Sequence, residues 1–447
     1  MDSIPHFGVA VYLFGTGIFV TAVAAVKDGL WDDSGDLSGP QPYRRYRTRE
    51  GAAMTQADTV ELGATFFTDP HELYETLRQE APVTPVITPE GMRAWVVSRY
   101  EDARPALTDP RLSKDVARFH EDFPAGDVLA RHMLNSDPPD HTRLRKLVSR
   151  AFTVRAIARM RPRIEEIAQG LADRMAAKVD REGVVDLLDE FAFPLPMTVI
   201  CELLGVPDGE RDDFRGWSNT ILSEAPQEEH DAAVVAMADF LTRLVAEKGA
   251  HPGEDMLSAI VKASEDGDTL SAREATSMAF LLLVAGHETT VNLIGNGALA
   301  LLRHPDQLAA LRADPELVPN AVEEFLRFDG PVNLATFRYT SEPVEIGGTT
   351  IPEGQIVLVS LVSANRDPGR FDDPARLDVT RDAAGHVAFG HGIHHCLGAP
   401  LARLEGEIAF RTLLGRFPSL VLAGEPETLG WRRSTLIRGL TRLPVRV

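Results

Sequence analysis

One continuous helix-forming stretch, residues 271–304, constrains the fold of this chain more than any other feature. It opens with Ser-Ala-Arg-Glu at 271–274, in which the serine and the glutamate can each cap a free backbone N–H group of the first turn. Apolar residues then continue to His304, just before Pro305, where the helical pattern ends. At about 1.5 Å per residue the helix would be roughly 45–50 Å long, enough to cross a whole domain.

A polar segment interrupts the middle of this helix. Residues 285–290 read Ala-Gly-His-Glu-Thr-Thr, and a glycine with polar neighbours weakens a buried helix without structural gain. Thr289 could simply hydrogen-bond the backbone carbonyl of Ala285, as helical threonines often do. Alternatively, Ala285 and Gly286 leave room for a flat ligand, and the threonine opens the helix to a water molecule. His287 is assigned no role.

A second informative segment is the loop 389–398, which reads Phe-Gly-His-Gly-Ile-His-His-Cys-Leu-Gly. It places Cys396 just before a helical pattern, where backbone N–H groups and the helix N-terminus can stabilise a thiolate. Gly392 and Gly398 allow a sharp turn and the close approach of a large flat ligand. Phe389 can shield the sulfur. The loop therefore predicts a thiolate site for a flat ligand.

Two other interpretations of this loop remain open from the residues alone. The cysteine could be a free thiol without a role, or His391, His394, His395 and Cys396 could bind zinc. Their crowding into so short a segment, without a second ligand pair elsewhere, suits tetrahedral zinc poorly. The second cysteine, Cys201, lies in an apolar run and is expected to be a small buried side chain in a reduced, intracellular protein. A disulfide between the two cysteines is the alternative.

The length and net charge of the chain limit the number of domains and the kinds of partner that it can have. The chain has 447 residues, of which 44% are hydrophobic, and a formal net charge of −20. Such an acidic chain is not expected to bind nucleic acid, because neutralising phosphates requires a basic surface. We expect one domain over residues 54–447, helix-dominated with a small β-rich region, and a monomer.

The N-terminal extension, residues 1–53, is ambiguous. Residues 7–26 carry no charge and are long enough to span a bilayer as a helix. Four arginines follow, which would keep the main body cytoplasmic if the segment inserts: Arg44, Arg45, Arg47 and Arg49. The other interpretation is a mis-assigned start, with Met54 as the first residue and a cytoplasmic protein.

Shorter patterns predict the remaining elements. Residues 83–86 and 93–97 flank a Pro-Glu-Gly turn and predict a β-hairpin. A second hairpin is predicted at 344–351 around Gly347 and Gly348. Apolar periodicity predicts further helices, over residues 155–179, 185–204, 230–249 and 316–328.

These motifs resemble those of the cytochrome P-450 family over about residues 65–447. The resemblance implies the mainly α cytochrome P-450 fold, with haem b between the long central helix and the cysteine loop. It implies that the Cys396 thiolate is the axial iron ligand, with Phe389 and Gly398 beside it. Glu288 and Thr289 would be the acid–alcohol pair that relays protons to dioxygen. The sequence resembles in particular the soluble bacterial members of this family that act in actinomycete secondary metabolism.

Further residues take expected roles from the same resemblance. The haem propionates would be held by His141, Arg145, Arg338 and His394. Glu324 and Arg327, with Arg376 of a Pro-Ala-Arg segment, would form a buried structural ion network behind the cysteine loop. The walls of the substrate pocket would be Leu282, Ala285, Asn333, Leu334, Ala335, Thr336, Thr435 and Leu436.

The predicted function is that of a haem-thiolate monooxygenase, an oxidoreductase that inserts one oxygen atom from O2 into a lipophilic small molecule such as a polyketide, macrolide or terpenoid. Electrons would come from NAD(P)H through a ferredoxin reductase and a ferredoxin, which could dock near Lys146 and Arg150. A haem-thiolate binding or sensor protein without turnover is the alternative, although such a protein would not need Glu288 and Thr289.

Overall fold

The computed structural model describes residues 9–11, 22–24, 59–63, 65–89, 91–115, 129, 131–179, 183–222, 225–265 and 268–447. Most of the N-terminal extension, including most of the segment 7–26, lies outside the described residues. Within it, only two short strands are described, β1 (Val9–Val11) and β2 (Ala22–Ala24), which pair antiparallel. The choice between a membrane segment and a mis-assigned start therefore stays a prediction.

Helices dominate the described chain, and the mainly α fold is confirmed. They are α1 (Thr65–Thr68), α2 (His71–Glu80), α3 (Tyr100–Ala106), α4 (Asp140–Ser149), α5 (Val154–Arg159), α6 (Arg161–Ala177), α7 (Pro194–Leu204), α8 (Arg211–Leu222), α9 (Gln227–Ala250), α10 (Met256–Val261), α11 (Ala272–Arg303), α12 (Pro305–Ala313), α13 (Val318–Asp329), α14 (Leu361–Asn365) and α15 (Ala399–Arg416). Short 3-10 helices cover Met133–Asn135, Asp208–Glu210, Pro315–Leu317, Gly392–His394 and Pro426–Thr428, and a π-helical turn covers Leu188–Ala192.

The strands form a small β-rich region beside the helices. They are β3 (Val60–Glu61), β4 (Val83–Ile87), β5 (Arg93–Val97), β6 (Leu112–Ser113), β7 (Val184–Asp186), β8 (Ser264–Glu265), β9 (Asp268–Thr269), β10 (Arg338–Thr340), β11 (Val344–Ile346), β12 (Thr349–Ile351), β13 (Ile356–Val359), β14 (Val421–Leu422) and β15 (Pro444–Arg446). Six of them form the largest sheet, in the order β3-β4-β5-β13-β10-β6. Both predicted hairpins are present, as β4–β5 and β11–β12.

Helix α11 is the central element, as its sequence predicts. The Ser271 hydroxyl accepts the backbone N–H of Glu274, and the Glu274 carboxylate accepts the backbone N–H of Ser271, which completes the predicted capping box. The helix packs against α7, α9, α13 and α15. It is also long and apolar enough to cross a membrane, but 83% of its most apolar window is buried within the protein. A core helix meets the same criteria, and this burial identifies α11 as one.

The predicted helix at 185–204 is wrong at its beginning. Val184–Asp186 is instead strand β7, paired antiparallel with β15 near the C-terminus, and the helical part follows as a π turn and α7. Pairing with a strand about 260 residues away overrides the local helical pattern. The helix predicted at 155–179 is divided at Met160 into α5 and α6, and the helices predicted at 230–249 and 316–328 are present within a few residues of their expected ends.

Candidate haem-thiolate site

The cysteine loop is a compact turn directly before α15. Gly390 and Gly392 have φ values of 71° and 77°, a left-handed conformation that glycine adopts without strain. A Cβ on Gly392 would also lie 2.6 Å from the Thr108 methyl carbon, so the loop packs too closely there for any other residue. Gly398, in contrast, has an ordinary φ of −80° and precedes the first residue of α15. Its predicted role in the sharp turn is therefore not required by its backbone conformation.

The Cys396 thiol has accessible surface although protein surrounds it closely, so it faces an enclosed space. Its backbone N–H donates to the Phe389 carbonyl, with an N···O distance of 2.9 Å. Burial raises the pKa of the thiol. The backbone N–H groups of Gly398 and Ala399 and the charges of Arg145 and Arg403 act in the opposite direction. The loop thus provides the stabilising dipoles expected for a thiolate, and a bound metal cation would complete the ionisation.

Three residues beyond the predicted set hold Phe389 in place. Glu323 accepts hydrogen bonds from Arg403, at 2.6 Å to Nε, and contacts His386 Nε2 at 3.0 Å. The Arg403 guanidinium lies 4.6 Å from the centre of the Phe389 ring. Burial alone would raise the pKa of Glu323, but its bonds to His386 and Arg403 outweigh burial and lower it to about 2. Glu323 directly precedes the predicted Glu324, and no sequence pattern distinguished it.

The middle of α11 shows where a ligand could approach. Between Ala275 and Leu301 every side chain of this helix is buried except those of Ala285, Gly286 and Thr289. Ala285 and Thr289 are four residues apart and lie on one helix face, whereas a Cβ on Gly286 would lie 3.2 Å from the Ile200 side chain. In an otherwise buried helix, a half-buried patch of this kind faces open space inside the protein. This patch lies in the segment that the sequence indicates as functional.

Glu288 and Thr289 are both held by defined partners. The Thr289 hydroxyl donates to the Ala285 carbonyl at 2.8 Å, which is the purely structural alternative considered above. The buried Glu288 carboxylate contacts Arg432 Nη1 at 2.7 Å and accepts from Asn292 Nδ2 at 3.1 Å. Arg432 was not predicted.

His287, between the patch and Glu288, is fully buried. Its Nδ1 lies 2.8 Å from the Leu283 carbonyl oxygen, and its Nε2 lies 3.3 Å from the Ser218 hydroxyl of α8. Burial lowers its pKa, so the ring is neutral near pH 7.

The four residues expected to hold the propionates are brought together. The rings of His141 and His394 lie 4.3 Å apart, and both nitrogens of the buried His141 ring have no hydrogen-bond partner. Arg145 Nη2 donates to the His395 carbonyl at 2.7 Å, and the buried Arg338 donates to the Thr336 carbonyl at 3.1 Å. Unpartnered buried nitrogens are costly, so this cluster is suited to an acceptor from outside the chain.

Lys114 is a member of this cluster that the sequence did not reveal. Its side chain is buried, and its amine donates to the Thr336 hydroxyl and, at 3.3 Å, to the Phe337 carbonyl. Burial and the charge of Arg338 lower its pKa well below the ordinary value. The pKa of His394 is lowered to about 2, first by burial and then by the charge of Lys114. Positive charge therefore accumulates at this site.

The buried ion network behind the loop differs from the prediction in one member. Glu324 and Arg327 are both fully buried and contact each other at 2.7 Å, as expected. The Arg376 side chain, however, is 62% exposed and reaches only Asp378 at 4.0 Å. Arg381 takes its place, with Nε at 3.3 Å from Glu324 Oε1. Arg376 contributes only its backbone carbonyl, which accepts from Arg327 and Arg381, each at 3.3 Å.

The two arginines also bind the backbone of the surrounding loop. Arg327 donates to the carbonyls of Asn365 and Pro374, at 3.1 and 2.9 Å. Arg381 donates to the carbonyls of Asp372 and, at 3.0 Å, Asp373. The side-chain prediction for Arg376 is therefore wrong, because another arginine nearby in sequence fits the buried carboxylate.

Two of the residues predicted to line the substrate pocket have side chains that are buried in the core. The Asn333 side chain is 2% exposed, and its oxygen accepts from the Tyr74 hydroxyl at 2.7 Å. Leu334 is 1% exposed and belongs to the apolar cluster of Val96 and Leu358 in the sheet. Neither side chain lines an open space. Ala285 and Thr336 are half-buried. The remaining predicted wall residues are buried but keep 5–9% of their surface accessible: Leu282, Ala335, Thr435 and Leu436.

The two alternatives for the cysteines are contradicted. Both Cys201 and Cys396 are free, so they form no disulfide. No group of three or more histidine, cysteine, aspartate or glutamate side chains in the described part of the chain could hold a metal ion, which excludes the zinc cluster. The loop histidines diverge, because His394 packs on His141 whereas His395 lies 6.3 Å from the ring centre of Phe389.

Comparison with known proteins decides the family. The family described as Cytochrome P450 matches residues 61–205 and 214–429 of this chain. Cytochrome P450 107B1 of Saccharopolyspora erythraea is 53% identical over 407 residues, which are 88% of this chain and 99% of the relative. The chain is a cytochrome P450. It is therefore an oxidoreductase, a haem-thiolate monooxygenase that uses haem b, O2 and electrons from a redox partner to oxidise a lipophilic substrate.

Two further relatives of this P450 give its biological setting. The 6-deoxyerythronolide B hydroxylase of the same organism is 48% identical over 409 residues, covering 88% of this chain and all of the relative. The tirandamycin C-bound structure of the P450 monooxygenase TamI is 50% identical, with a TM-score of 0.79 over 87% of this chain and 99% of that one. The P450 thus belongs among bacterial monooxygenases of polyketide and other secondary metabolism.

Proposed function

We propose that Cys396 is the axial ligand of the haem iron and that the cluster around Lys114 binds the two haem propionates. The observation that carries this proposal is the charge of the cluster. Lys114, Arg145 and Arg338 bring three positive charges, and Asp137, whose carboxylate accepts the backbone N–H of Lys114 at 3.0 Å, brings one negative charge. The cations outnumber the anion, and nearby carboxylates would offset the burial that lowers the pKa of Lys114 and of Arg338.

Haem b has the matching charge. The charges of ferric iron, the porphyrin dianion and a cysteine thiolate cancel, and the two propionates remain. Two carboxylates next to this cluster would favour its charged cations, and one of them would accept a hydrogen bond from the single N–H of the neutral His141 ring. His394 links the cluster to the iron side, since it lies two residues before Cys396 and packs on His141. The residues present therefore fit haem b.

Each side chain then has a definite task. Cys396 would hold the iron, while Phe389, stacked under Arg403, covers the sulfur and limits its access to water. The small side chain of Ala285 would leave room for the flat cofactor and for a small molecule next to it, whereas the position of Gly286 is packed against Ile200. Glu288 and Thr289 would pass protons into that space. The bound haem would supply the activation of O2, from which one oxygen atom is inserted into the substrate.

We propose a macrolide or other lipophilic polyketide as the substrate, hydroxylated at a carbon atom. The support is the kinship with a 6-deoxyerythronolide B hydroxylase and with a tirandamycin-binding monooxygenase. Among the predicted wall residues that keep surface, Leu282, Ala285, Ala335 and Leu436 are apolar, and Thr336 and Thr435 are polar. Apolar walls with few polar groups bind such ligands chiefly by excluding water from their surface.

We further propose that a ferredoxin and its reductase are the electron donors of this P450, and that this P450 is a cytoplasmic protein. Lys146 in α4 and Arg150 directly after it are exposed, on the helix that also carries His141 and Arg145. An acidic ferredoxin could dock on this basic surface, close to the cofactor side of the molecule.

The experiment that tests the proposed substrate class is a spectral screen followed by turnover. The purified holoenzyme is titrated with a panel of macrolactones, linear polyketides, terpenoids and fatty acids, and the shift of the Soret band on displacement of water from the iron is recorded. Compounds that bind are incubated with NADPH, a surrogate ferredoxin and its reductase under isotopically labelled O2. A polyketide product carrying one labelled oxygen atom supports the proposal. Turnover confined to another class would contradict it.

A further inference from the structure

The ion pair between Glu288 and Arg432 joins the interior of the protein to its surface. The Glu288 side chain is 4% exposed, in the middle of α11, whereas the Arg432 side chain is 30% exposed and belongs to the C-terminal segment. Their closest nitrogen and oxygen atoms are 2.7 Å apart. A buried carboxylate is stable only when it is paired and hydrogen-bonded, and this one obtains its cation from a residue that also contacts solvent.

The C-terminal turn 431–440 is fixed closely against α11, and this contact brings Arg432 to Glu288. The backbone N–H of Arg432 donates to the Gly439 carbonyl at 2.9 Å, and Trp431 pairs with Leu440 in an isolated β-bridge. A Cβ on Gly439 would lie 1.7 Å from the Asn292 side-chain oxygen. Only glycine therefore allows the turn to approach this closely. Asn292 in turn donates to Glu288, so the same contact orients both partners of the carboxylate.

We propose that Arg432 is a positioning residue that controls the entry of protons through Glu288. This inference rests on the proposed function, in which Glu288 supplies protons to the space beside Thr289. In the resting arrangement Arg432 holds the carboxylate in an ion pair, and Thr289 is bonded to Ala285. The two members of the acid–alcohol pair are thus held by different partners, and proton delivery requires Glu288 to leave Arg432.

Proton transfer begins at the ion pair between Glu288 and Arg432. The guanidinium moves away from Glu288 into solvent and water takes its place. The carboxylate takes one proton through this water, which is reprotonated from bulk solvent at the same time, and becomes a neutral acid. The acid turns towards Thr289 and gives the proton to a water molecule in the inner space. The carboxylate that is left returns to Arg432. One proton moves inward in each cycle, and Arg432 keeps its charge throughout.

The test uses the full-length holoenzyme with Arg432→Met, Arg432→Lys, Glu288→Gln and the double variant Arg432→Met/Glu288→Gln. Electrons are supplied by NADPH, a surrogate ferredoxin and its reductase. This system reduces O2 without an added substrate, because two electrons and two protons convert O2 to hydrogen peroxide. Consumption of O2 and NADPH and formation of peroxide are measured in H2O and in D2O. Arg433→Met is the matched control, since Arg433 is exposed in the same turn and lies over the Phe67 ring.

We expect Arg432→Met to change the rate of O2 consumption by roughly tenfold or more, with a larger solvent isotope effect and an altered share of peroxide. Arg432→Lys restores most of the wild-type behaviour, because lysine keeps the charge. In the Glu288→Gln background, Arg432→Met has no further effect, since Arg432 acts only through the carboxylate. Haem content and the spectrum with CO stay unchanged in all variants, and Arg433→Met behaves like the wild type.

Three results would overturn the inference, and they are distinguishable. If Glu288→Gln alters O2 reduction but Arg432→Met leaves it unchanged, the role of Arg432 is wrong and the proposed function stands. If the two substitutions have independent, additive effects, Arg432 does not act through Glu288. If Glu288→Gln itself has no effect on O2 reduction or its isotope effect, the proton role of Glu288 in the proposed function fails, and this inference fails with it.

Discussion

The hydroxyl of Thr289 donates a 2.8 Å hydrogen bond to the carbonyl oxygen of Ala285, four residues earlier in α11. The two residues are also members of the half-buried patch in the middle of this buried helix. The threonine hydroxyl is therefore fixed at the edge of the space proposed for O2 and substrate. Such a bond lets the hydroxyl point its oxygen lone pairs at a water molecule, because its single proton is already donated.

Replacing Thr289 by alanine is expected to uncouple O2 consumption from product formation. Without the hydroxyl the ordering of water next to the patch is lost, so the ratio of product to NADPH falls by about tenfold or more and peroxide rises. The measurement is NADPH, peroxide and product in the surrogate ferredoxin system. Thr289→Ser is the control, since it keeps the hydroxyl. An alanine variant as well coupled as the serine variant would rule out this role.

Replacing Cys396 by alanine is expected to abolish the thiolate-type CO spectrum of the reduced protein. The reason is that the thiolate is the proposed axial ligand. Cys201→Ala is the matched control: Cys201 is 2% exposed, and burial raises the pKa of its thiol to about 11. The control variant keeps the spectrum and loses about 1 kcal/mol of stability at most. A normal CO spectrum in the Cys396 variant would contradict the assignment of the ligand.

Replacing Lys114 by methionine is expected to accelerate the loss of haem. The variant keeps the shape of the side chain but removes one of the three cations proposed to face the propionates. A hydrogen bond to a charged group contributes about 1.5–3 kcal/mol, so haem transfer to an excess of apomyoglobin should be roughly tenfold to a hundredfold faster. Lys146→Met, an exposed lysine of α4, is the control. Equal rates in both variants would show that Lys114 does not contact the cofactor.

Arg381 and Arg376 are expected to differ in their contribution to stability. Arg381→Met removes the contact with the fully buried Glu324 and several bonds to backbone carbonyls, at a cost of about 2 kcal/mol or more. Arg376→Met removes an exposed side chain and is expected to cost about 0.5 kcal/mol or less. Thermal unfolding of the two holoenzymes, followed by circular dichroism, gives the comparison. A larger loss for the Arg376 variant would support the original assignment of the ion network.

Glu323 is expected to contribute to the stability of the protein in acid. Its pKa is about 2 in the folded protein, below its ordinary value of 4.5. For a carboxyl group with a lowered pKa, the stabilisation is complete above the unfolded pKa and disappears as the pH falls towards the folded one. Glu323→Gln should therefore lose less stability than the wild type between about pH 5 and pH 2.

Thermal unfolding over this pH range measures the effect of Glu323. Glu316→Gln is the control, because the Glu316 side chain is 84% exposed and its contact with Arg411 is on the surface. The control should follow the wild-type pH profile. A Glu323→Gln profile parallel to that of the wild type would contradict the proposed role of this carboxylate.

The features that the sequence predicts correctly depend on short segments. The ends of α11 follow from its capping serine and from Pro305. The cysteine loop and the polar segment 285–290 are recognisable because glycine, cysteine and polar residues are unusual at such spacings. The family resemblance adds the order of these motifs along the chain. These observations were sufficient for the fold and the class of reaction.

The features that the sequence missed depend on contacts between distant segments. Lys114 joins the cationic cluster through Thr336, which lies 222 residues away in the chain, and nothing in its own neighbourhood indicates burial. Arg432 reaches Glu288 because a glycine brings the C-terminal turn against α11. The wrong prediction for Arg376 has the same cause, since only the folded loop shows that the side chain of Arg381, and not that of Arg376, contacts Glu324.

The way Arg327 and Arg381 hold the loop after α14 has a consequence for how this region can diverge. Their guanidinium groups bind main-chain carbonyl oxygens, among them those of Pro374 and Arg376. Every residue type presents the same backbone carbonyl group. The conformation of the loop therefore depends on the two arginines more than on the side chains of the loop itself. The exposed side chains of residues such as Arg376 are therefore not needed to hold the loop in this conformation. Substitutions can therefore change the charge and shape of this surface without altering the buried ion network beneath it.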